Sequence, residues 1–421
     1  MRSYFFVIMG AIILANLLWF FLSERWLRQD LKNYPNIRQL ARILLFVWAT
    51  LIAVPLIIMV IPGTDFSFKS IPWLWHTIFY FWICAIFVLM LVMSVLGIPL
   101  WAVIKVFDKR KNKIPPVKSE NSDTSGLKPS FNKSNAGLTR RQFVRLATVA
   151  APPLLVSVSS LAAWSNSQDL KVYSLDLPVK DLPEGLEGFT ITHLSDIHIG
   201  MVTGRERVDK IVAAANGLKS DIIVITGDIL DRELTFLPDL VDTVGALYAP
   251  MGTYLCIGNH DKIFDANNFI ETVRKADLNL LLNEAVMLDT GNVPIKLLGV
   301  DYSRQEIYYE AFIRRADQTV SSPSNALKIL LAHHPHSFDY IMDQNVSIVL
   351  AGHTHGGQIV VQAGEEWEIF NPGRHLFRYV RGIYKNANGN VMFVHQGSGD
   401  WFPLRLGSAC EVVQLRLTRE A

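Results

Sequence analysis

The run Asp221-Ile222-Ile223-Val224-Ile225-Thr226-Gly227-Asp228 decides how the second half of this chain reads. Five residues, all apolar or β-branched, end in a Gly-Asp corner. A short apolar run closed by a turn signal reads as a strand buried on both faces. Asp228 then sits at the strand's C-terminal end, where open α/β sheets bind ligands. A lone Gly-Asp is an ordinary turn cap. Its recurrence in kind elsewhere along the chain is what changes the reading.

Outward from this strand the pattern repeats. Residues 189–194, 253–257, 295–300, 328–332, 348–351 and 391–395 read as strands. Residues 207–218, 237–247 and 267–276 carry apolar residues at helical spacing. Strands alternating with helices predict an α/β domain. Polar clusters follow the strands: Ser195-Asp196-Ile197-His198, Gly227-Asp228-Ile229-Leu230-Asp231-Arg232, Gly258-Asn259-His260-Asp261, His333-His334-Pro335, and Gly352-His353-Thr354-His355-Gly356-Gly357-Gln358. Asp196 and His198 are two apart, as are His353 and His355, so extended backbone would turn each pair to one side. A mix of carboxylate, imidazole and amide oxygen suits Mn, Fe, Zn or Ni better than Ca or a thiolate metal.

The front of the chain has another character. Half of the 421 residues are hydrophobic, and the excess lies early. Residues 4–22, 43–62 and 71–104 are three long, nearly uncharged runs, each long enough to span a bilayer. Trp73, Trp75, Tyr80 and Trp82 stand near the start of the third, as an interfacial belt would. Arg25, Arg28, Lys32, Arg38 and Arg42 lie between the first two runs, and only Lys69 lies between the second and third. Lys105, Lys109, Arg110, Lys111, Lys113 and Lys118 follow the third. This asymmetry predicts a cytoplasmic first loop and an N-terminus outside. Residues 108–138 are polar and read as a linker. Thr139-Arg140-Arg141-Gln142-Phe143-Val144-Arg145, with the apolar residues 146–163 behind it, resembles an internal twin-arginine export signal. A fourth membrane span with a basic flank is the other reading. Both put the following domain on the extracytoplasmic side of a multi-pass inner membrane protein. The expected organisation is a membrane region over 1–105, a linker over 106–138, the twin-arginine-like segment or span over 139–165, and a catalytic domain over 166–421.

The polar clusters together resemble the calcineurin-like metallophosphoesterase superfamily. Its blocks occur in order: Asp-x-His, Gly-Asp-x-x-Asp, Gly-Asn-His-Asp, a His before a Pro, and Gly-His-x-His. The resemblance covers residues 188–417. The Gly356-Gly357-Gln358 run and the terminal Gly397-Ser398-Gly399-Asp400-Trp401-Phe402-Pro403-Leu404-Arg405 look like its membrane-associated bacterial branch. The resemblance implies a two-sheet α/β sandwich with two divalent metals at the strand ends. Asp196, His198 and His355 would hold one; Asn259, His333 and His353 the other; Asp228 would bridge them. Such a pair neutralises phosphoryl oxygens and activates water for in-line attack. His260 would face the leaving group as proton donor, with Asp231 orienting it. The His-x-Pro pattern selects His333 over His334. His193, His336, His375 and His395 fall outside the implied set, and Arg232 resembles a phosphate-binding arginine but precedes Glu233 instead of Gly.

The expected activity is therefore hydrolysis of phosphoesters at a membrane, on monoesters or diesters, lipid head groups or lipid-linked pyrophosphates. An inactive metal-binding sensor on a membrane scaffold is the alternative, and the intact ligand set argues against it. A net charge of +2 and the lack of a basic stripe exclude nucleic acid as an expected partner. Three scattered cysteines exclude a disulfide framework. The expected partners are the phosphoester, the membrane and the twin-arginine export machinery.

Overall fold

The computed structural model describes residues 2–60, 78, 82, 140–231, 233–341, 345–363, 367–401 and 405–420. The expected third span (apart from Ile78 and Trp82), the linker and Arg232 lie outside these residues. The chain divides into two compact units, Met1–Leu161 and Ala162–Ala421.

In the first unit, helices α1 (Arg2–Asp30) and α2 (Pro35–Val60) pack on one another. They contain the expected first span and most of the second. Trp82 is buried against the edge of Trp19, with ring centroids 4.7 Å apart, and its indole N–H donates to Asn16 Oδ1 at 2.6 Å. Among the described residues, Pro35–Val54 is the one helical stretch long and apolar enough to cross a membrane. Helix α3 (Arg140–Gln168) runs through the twin-arginine-like segment and on to residue 168, with Pro152 and Pro153 inside it.

The second unit is a sandwich of two six-stranded sheets. Its strands are β1 (Leu170–Val179), β2 (Thr190–Leu194), β3 (Ile222–Thr226), β4 (Thr253–Cys256), β5 (Asn279–Leu280), β6 (Glu284–Leu288) and β7 (Ile295–Gly299), followed by β8 (Leu327–Leu331), β9 (Ile348–Ala351), β10 (Val361–Ala363), β11 (Trp367–Phe370), β12 (Gly382–Lys385), β13 (Val391–Val394) and β14 (Cys410–Arg419). The first sheet has the order β1-β14-β2-β3-β4-β5 and the second β12-β13-β9-β8-β7-β6; β10 and β11 form a separate hairpin. The central strands β2, β3 and β4 run parallel, as do β7, β8, β9 and β13.

Alternation along buried strands builds three layers of core. In β3, Ile222 and Val224 face the other sheet, while Ile223 and Ile225 face helices α4 (Arg205–Gly217), α5 (Leu237–Gly245) and α6 (Ala266–Lys275). In β9, Ile348 and Leu350 meet the first sheet's apolar face, and Val349 packs with Ile313 of α7 (Tyr308–Thr319). This is why β3 and β9 read as unbroken apolar runs: neither face of either strand meets water. Two sheets stacked this way bring the C-terminal ends of β2, β3 and β4 beside those of β8 and β9.

Candidate metal centre

The loops leaving those five strands carry the predicted residues. Asp196 and His198 follow β2, Asp228 and Asp231 follow β3, and Asn259 and His260 follow β4. His333 follows β8, and His353 and His355 follow β9. The expectation that the paired residues lie on extended backbone is not met. Asp196, His198, Asp228, His353 and His355 all have left-handed backbone, with φ of 50°, 51°, 50°, 74° and 49°. Each such non-glycine residue costs about 1–3 kcal/mol, so the surroundings must hold it in place. They do so through main-chain bonds between loops: Asp196 N–H to Gly227 O at 3.0 Å and His198 N–H to Asp228 O at 3.0 Å. The paired side chains are turned inward by this kink and not by strand alternation.

The inward atoms form two adjoining groups. In the first, His198 Nε2 is 3.1 Å from His355 Nε2, and Asp196 Oδ1 is 3.4 Å from His355 Nε2 and 3.9 Å from His198 Nε2. In the second, His333 Nε2 is 3.1 Å from His353 Nδ1 and 3.2 Å from Asn259 Oδ1. Asp228 lies between them, its Oδ2 3.2 Å from His333 Nε2 and 3.7 Å from His198 Nε2. All but His353 and Asn259 of this set are buried, and those two sit at the mouth. Convergence of four imidazoles, two carboxylates and an amide oxygen on so small a volume fits a centre for divalent transition ions, and the cluster is able to bind them.

Burial penalises the Asp228 carboxylate, yet the charge and hydrogen bond of His333, together with His198 and His260, hold it well below the usual carboxylate range. Burial also opposes a charge on His333, but Asp228 outweighs it and raises the imidazole to about 9. For His353, burial and the neighbouring His333 and His334 push the ring well below its ordinary value. Burial does the same to His198. Neutral rings are what a metal requires of its histidines.

His260 is held differently. Its backbone N–H donates to Asp228 Oδ1 at 2.7 Å, and its Nδ1 is 3.1 Å from both the carboxylate Oδ1 and the carbonyl of Asp231. Its ring meets the edge of His198 at 4.6 Å and Trp401 at 5.7 Å. Asp231 thus lies beside the imidazole that the motif pairs it with.

Several contributors were not singled out from the sequence. Asp261 accepts from the N–H groups of Ile229, Leu230 and Gly258, each at 2.9 Å, and so ties the β3 loop to the β4 loop. Ser195 Oγ donates to Asp196 Oδ2 at 2.6 Å, and His353 N–H donates to the same oxygen at 3.0 Å. Arg405, fully buried, donates through Nη2 to His355 Nδ1 at 2.9 Å and pairs with Asp400 at 2.6 Å. Both lie in runs already noted, Asp261 beside His260 and Arg405 at the end of the terminal run, but Arg405 lies 50 residues from the His355 it meets and nothing in the run pairs the two. Gly258 and Gly352 admit these contacts, because a Cβ on the first would collide with the Asp228 carboxylate and on the second with Ser195 Oγ and Asp196. Among the other histidines, His193 is buried with Nε2 2.9 Å from Thr226 Oγ1, and His395 accepts the Gly397 N–H. His375 is exposed. His334 turns its Nδ1 to that of His336 at 3.1 Å.

Two stacked sheets with a carboxylate–imidazole cluster at their parallel strand ends define an α/β protein whose strand ends carry side chains able to bind metal ions. Comparison with known proteins then places it. The model of the calcineurin-like phosphoesterase family matches residues 189–357. A metallophosphoesterase of Aquifex aeolicus is 30% identical over 257 residues, covering 60% of this chain and 94% of that protein. Phosphodiesterase YaeI of Escherichia coli is 30% identical over 235 residues, covering 54% of this chain and 82% of its own. A transmembrane protein with metallophosphoesterase domain from Bos taurus is 30% identical over 292 residues, covering 66% of this chain and 64% of that protein. The chain belongs to the calcineurin-like phosphoesterase family. It spans 61% and 64% of the length of the zebrafish and bovine transmembrane relatives.

Proposed function

We propose that this chain is a membrane-anchored phosphoesterase that uses two divalent transition ions, with its catalytic domain on the extracytoplasmic side. One observation carries the two-ion reading: a single oxygen of Asp228 faces a histidine of each group, at 3.2 Å and 3.7 Å. Asp196, His198 and His355 would hold one ion, Asn259, His333 and His353 the other, and Asp228 would serve both. When bound, two such ions offset the charge of phosphoryl oxygens and acidify the attacking water.

The chain's own residues supply the rest. Asp228 is kept ionised by the histidines around it and is fixed in place by the His260 N–H. Asp231 holds His260 through Nδ1, which leaves Nε2 as the ring position for handing a proton to a leaving group. The rings of Trp401 and Phe377 lie 5.7 Å from His260 and 5.4 Å from His353, and flank the mouth with apolar surface.

The apolar Pro35–Val54 helix and the transmembrane relatives support the membrane anchor. The basic loops and Arg140-Arg141 support export, with the twin-arginine machinery as partner and the bacterial membrane branch as home. A site beside a bilayer favours substrates with a lipid head group or a lipid-linked pyrophosphate. The test is the detergent-solubilised full chain, loaded with Mn²⁺ and given water-soluble and lipidic phosphoesters together. Activity on at least one class is expected, with about two ions per chain that Asp228→Asn removes. A chain that binds no ion and gains no activity from Mn²⁺ ends the enzyme reading. A reporter fused after Ala421 should be active only outside the cytoplasm.

A further inference from the structure

Outside the cluster just described, one more group of metal-binding side chains converges. His334 and His336 flank Pro335 where β8 passes into a short 3₁₀ helix, Pro335–Tyr340. Their Nδ1 atoms face one another at 3.1 Å. Glu306, from the loop between β7 and α7, brings Oε1 to 3.8 Å from His336 Nδ1. The three donor atoms lie within 4.8 Å of one another. All three residues are half-buried, so solvent can complete the coordination. His334 Nδ1 also takes the His336 backbone N–H at a longer 3.3 Å, a contact an ion would displace.

We propose that Glu306, His334 and His336 form a separate binding site for a single borderline divalent cation, Zn²⁺ being the best match. Two imidazoles and one carboxylate with an open position are the donor set of a zinc site, and neither a hard cation nor a soft one suits it as well. Pro335 fixes the backbone between the two histidines, so their shared aim costs little further ordering. The site would tie the 300–307 loop to the turn after β8. That loop carries Tyr302, whose ring lies 5.9 Å from His333 and 6.0 Å from His353. His334 itself lies ring to ring with His353 at 4.8 Å. An ion here would therefore brace one wall of the main centre without sharing a donor atom with it.

The experiment counts ions. The full chain in detergent is stripped with a chelator, titrated with Zn²⁺, freed of excess and analysed for metal, beside His336→Ala and Glu306→Gln. Glu306 is exposed enough that its substitution leaves folding intact. The unsubstituted chain should carry one ion more than either variant. Asp228→Asn should lose ions at the main centre and still carry the one that depends on His336. Co²⁺ in place of Zn²⁺ should show visible absorption in Asp228→Asn that vanishes in Asp228→Asn/His336→Ala. Equal ion counts in the unsubstituted chain, His336→Ala and Glu306→Gln would overturn the site. So would identical spectra of the Asp228→Asn single and double variants. Failure of the two-ion reading shows separately, as an Asp228→Asn chain that holds as many ions as the unsubstituted one.

Discussion

The two sheets bring different chemistry to the same cleft. The first sheet supplies every oxygen donor, Asp196, Asp228 and Asn259, with His198 and His260 beside them. The second supplies nitrogen alone, from His333, His353 and His355. Their support differs accordingly. Asp228 and Asp196 are met by donors: the His260 N–H, the Ser195 hydroxyl and the His353 N–H. Asp261 beside them gathers three N–H groups, although burial and the nearby Asp228 charge still raise its carboxyl to about 7. The histidines of the second sheet are oriented from behind by single contacts, His333 by the Thr226 carbonyl at 2.8 Å and His355 by Arg405. A buried carboxylate needs several donors to offset its lost hydration, whereas an imidazole needs mainly to be aimed.

The same contrast separates two individual histidines. His260 has a carboxylate at Nδ1 and His355 a guanidinium. A carboxylate at Nδ1 fixes how the ring is turned and leaves Nε2 for the proton transfer proposed for His260. A guanidinium disfavours positive charge on the ring, which suits the ligand role proposed for His355. Burial and Arg405 indeed lower the His355 imidazole, although Asp196 opposes them.

The largest effect should come from the residue where the two groups of donors meet. Asp228→Asn keeps shape but removes charge, so metal content at the centre should collapse and activity fall to background, with the sheets still folded by circular dichroism. A variant with full metal and activity would break the idea that the first sheet's carboxylates anchor the site. Next comes His260→Ala. Metal should be retained, and the rate on alkyl phosphoesters should fall about 10²–10⁴-fold, as loss of a general acid does. Nitrophenyl esters, whose leaving group needs the proton less, should suffer less. If His260→Ala instead sheds metal, the two histidines are alike and the contrast fails.

Arg405→Met leaves Asp400 and the carbonyl oxygens of Gln396 and Gly399 without their buried donor. Loss of one member of a buried pair costs about 3–5 kcal/mol, readable in denaturant unfolding. Arg405→Met/Asp400→Leu should recover part of that stability but not the metal affinity at His355. Smallest is Asp231→Asn, which keeps a hydrogen-bonding partner for His260 and removes the charge. A loss of about 10–100-fold in rate is expected, with metal content unchanged. An equal loss on nitrophenyl and alkyl esters would detach Asp231 from the proton transfer.

Much of the sandwich was legible because its central strands are short, largely apolar and closed by turns: β3, β9 and β13 are apolar on both faces, and β2, β4 and β8 carry only a few polar residues. The edge strand β1 and its neighbour β14 do not. Residues such as Lys171, Ser174 and Asp176 alternate with apolar ones, and the partner strand lies 240 residues away, as the Ser174–Gln414 and Arg416–Asp176 contacts show. Helix α7 was missed as well, since Tyr308-Tyr309-Glu310 opens it without a capping residue.

The sequence by itself determined which residue types could gather at a centre: the Asp, Asn and His of five motifs, each placed just beyond a strand whose apolar run dictates where it ends. Only the tertiary structure decided how they face it. Left-handed backbone at Asp196, His198, Asp228, His353 and His355 is disfavoured locally, and no pattern of neighbours announces it. It persists because hydrogen bonds between loops far apart in the chain, and glycines that leave room for them, outweigh the local cost. The partners that set each imidazole's character, Asp231 for His260 and Arg405 for His355, likewise meet their rings only once the two sheets are stacked.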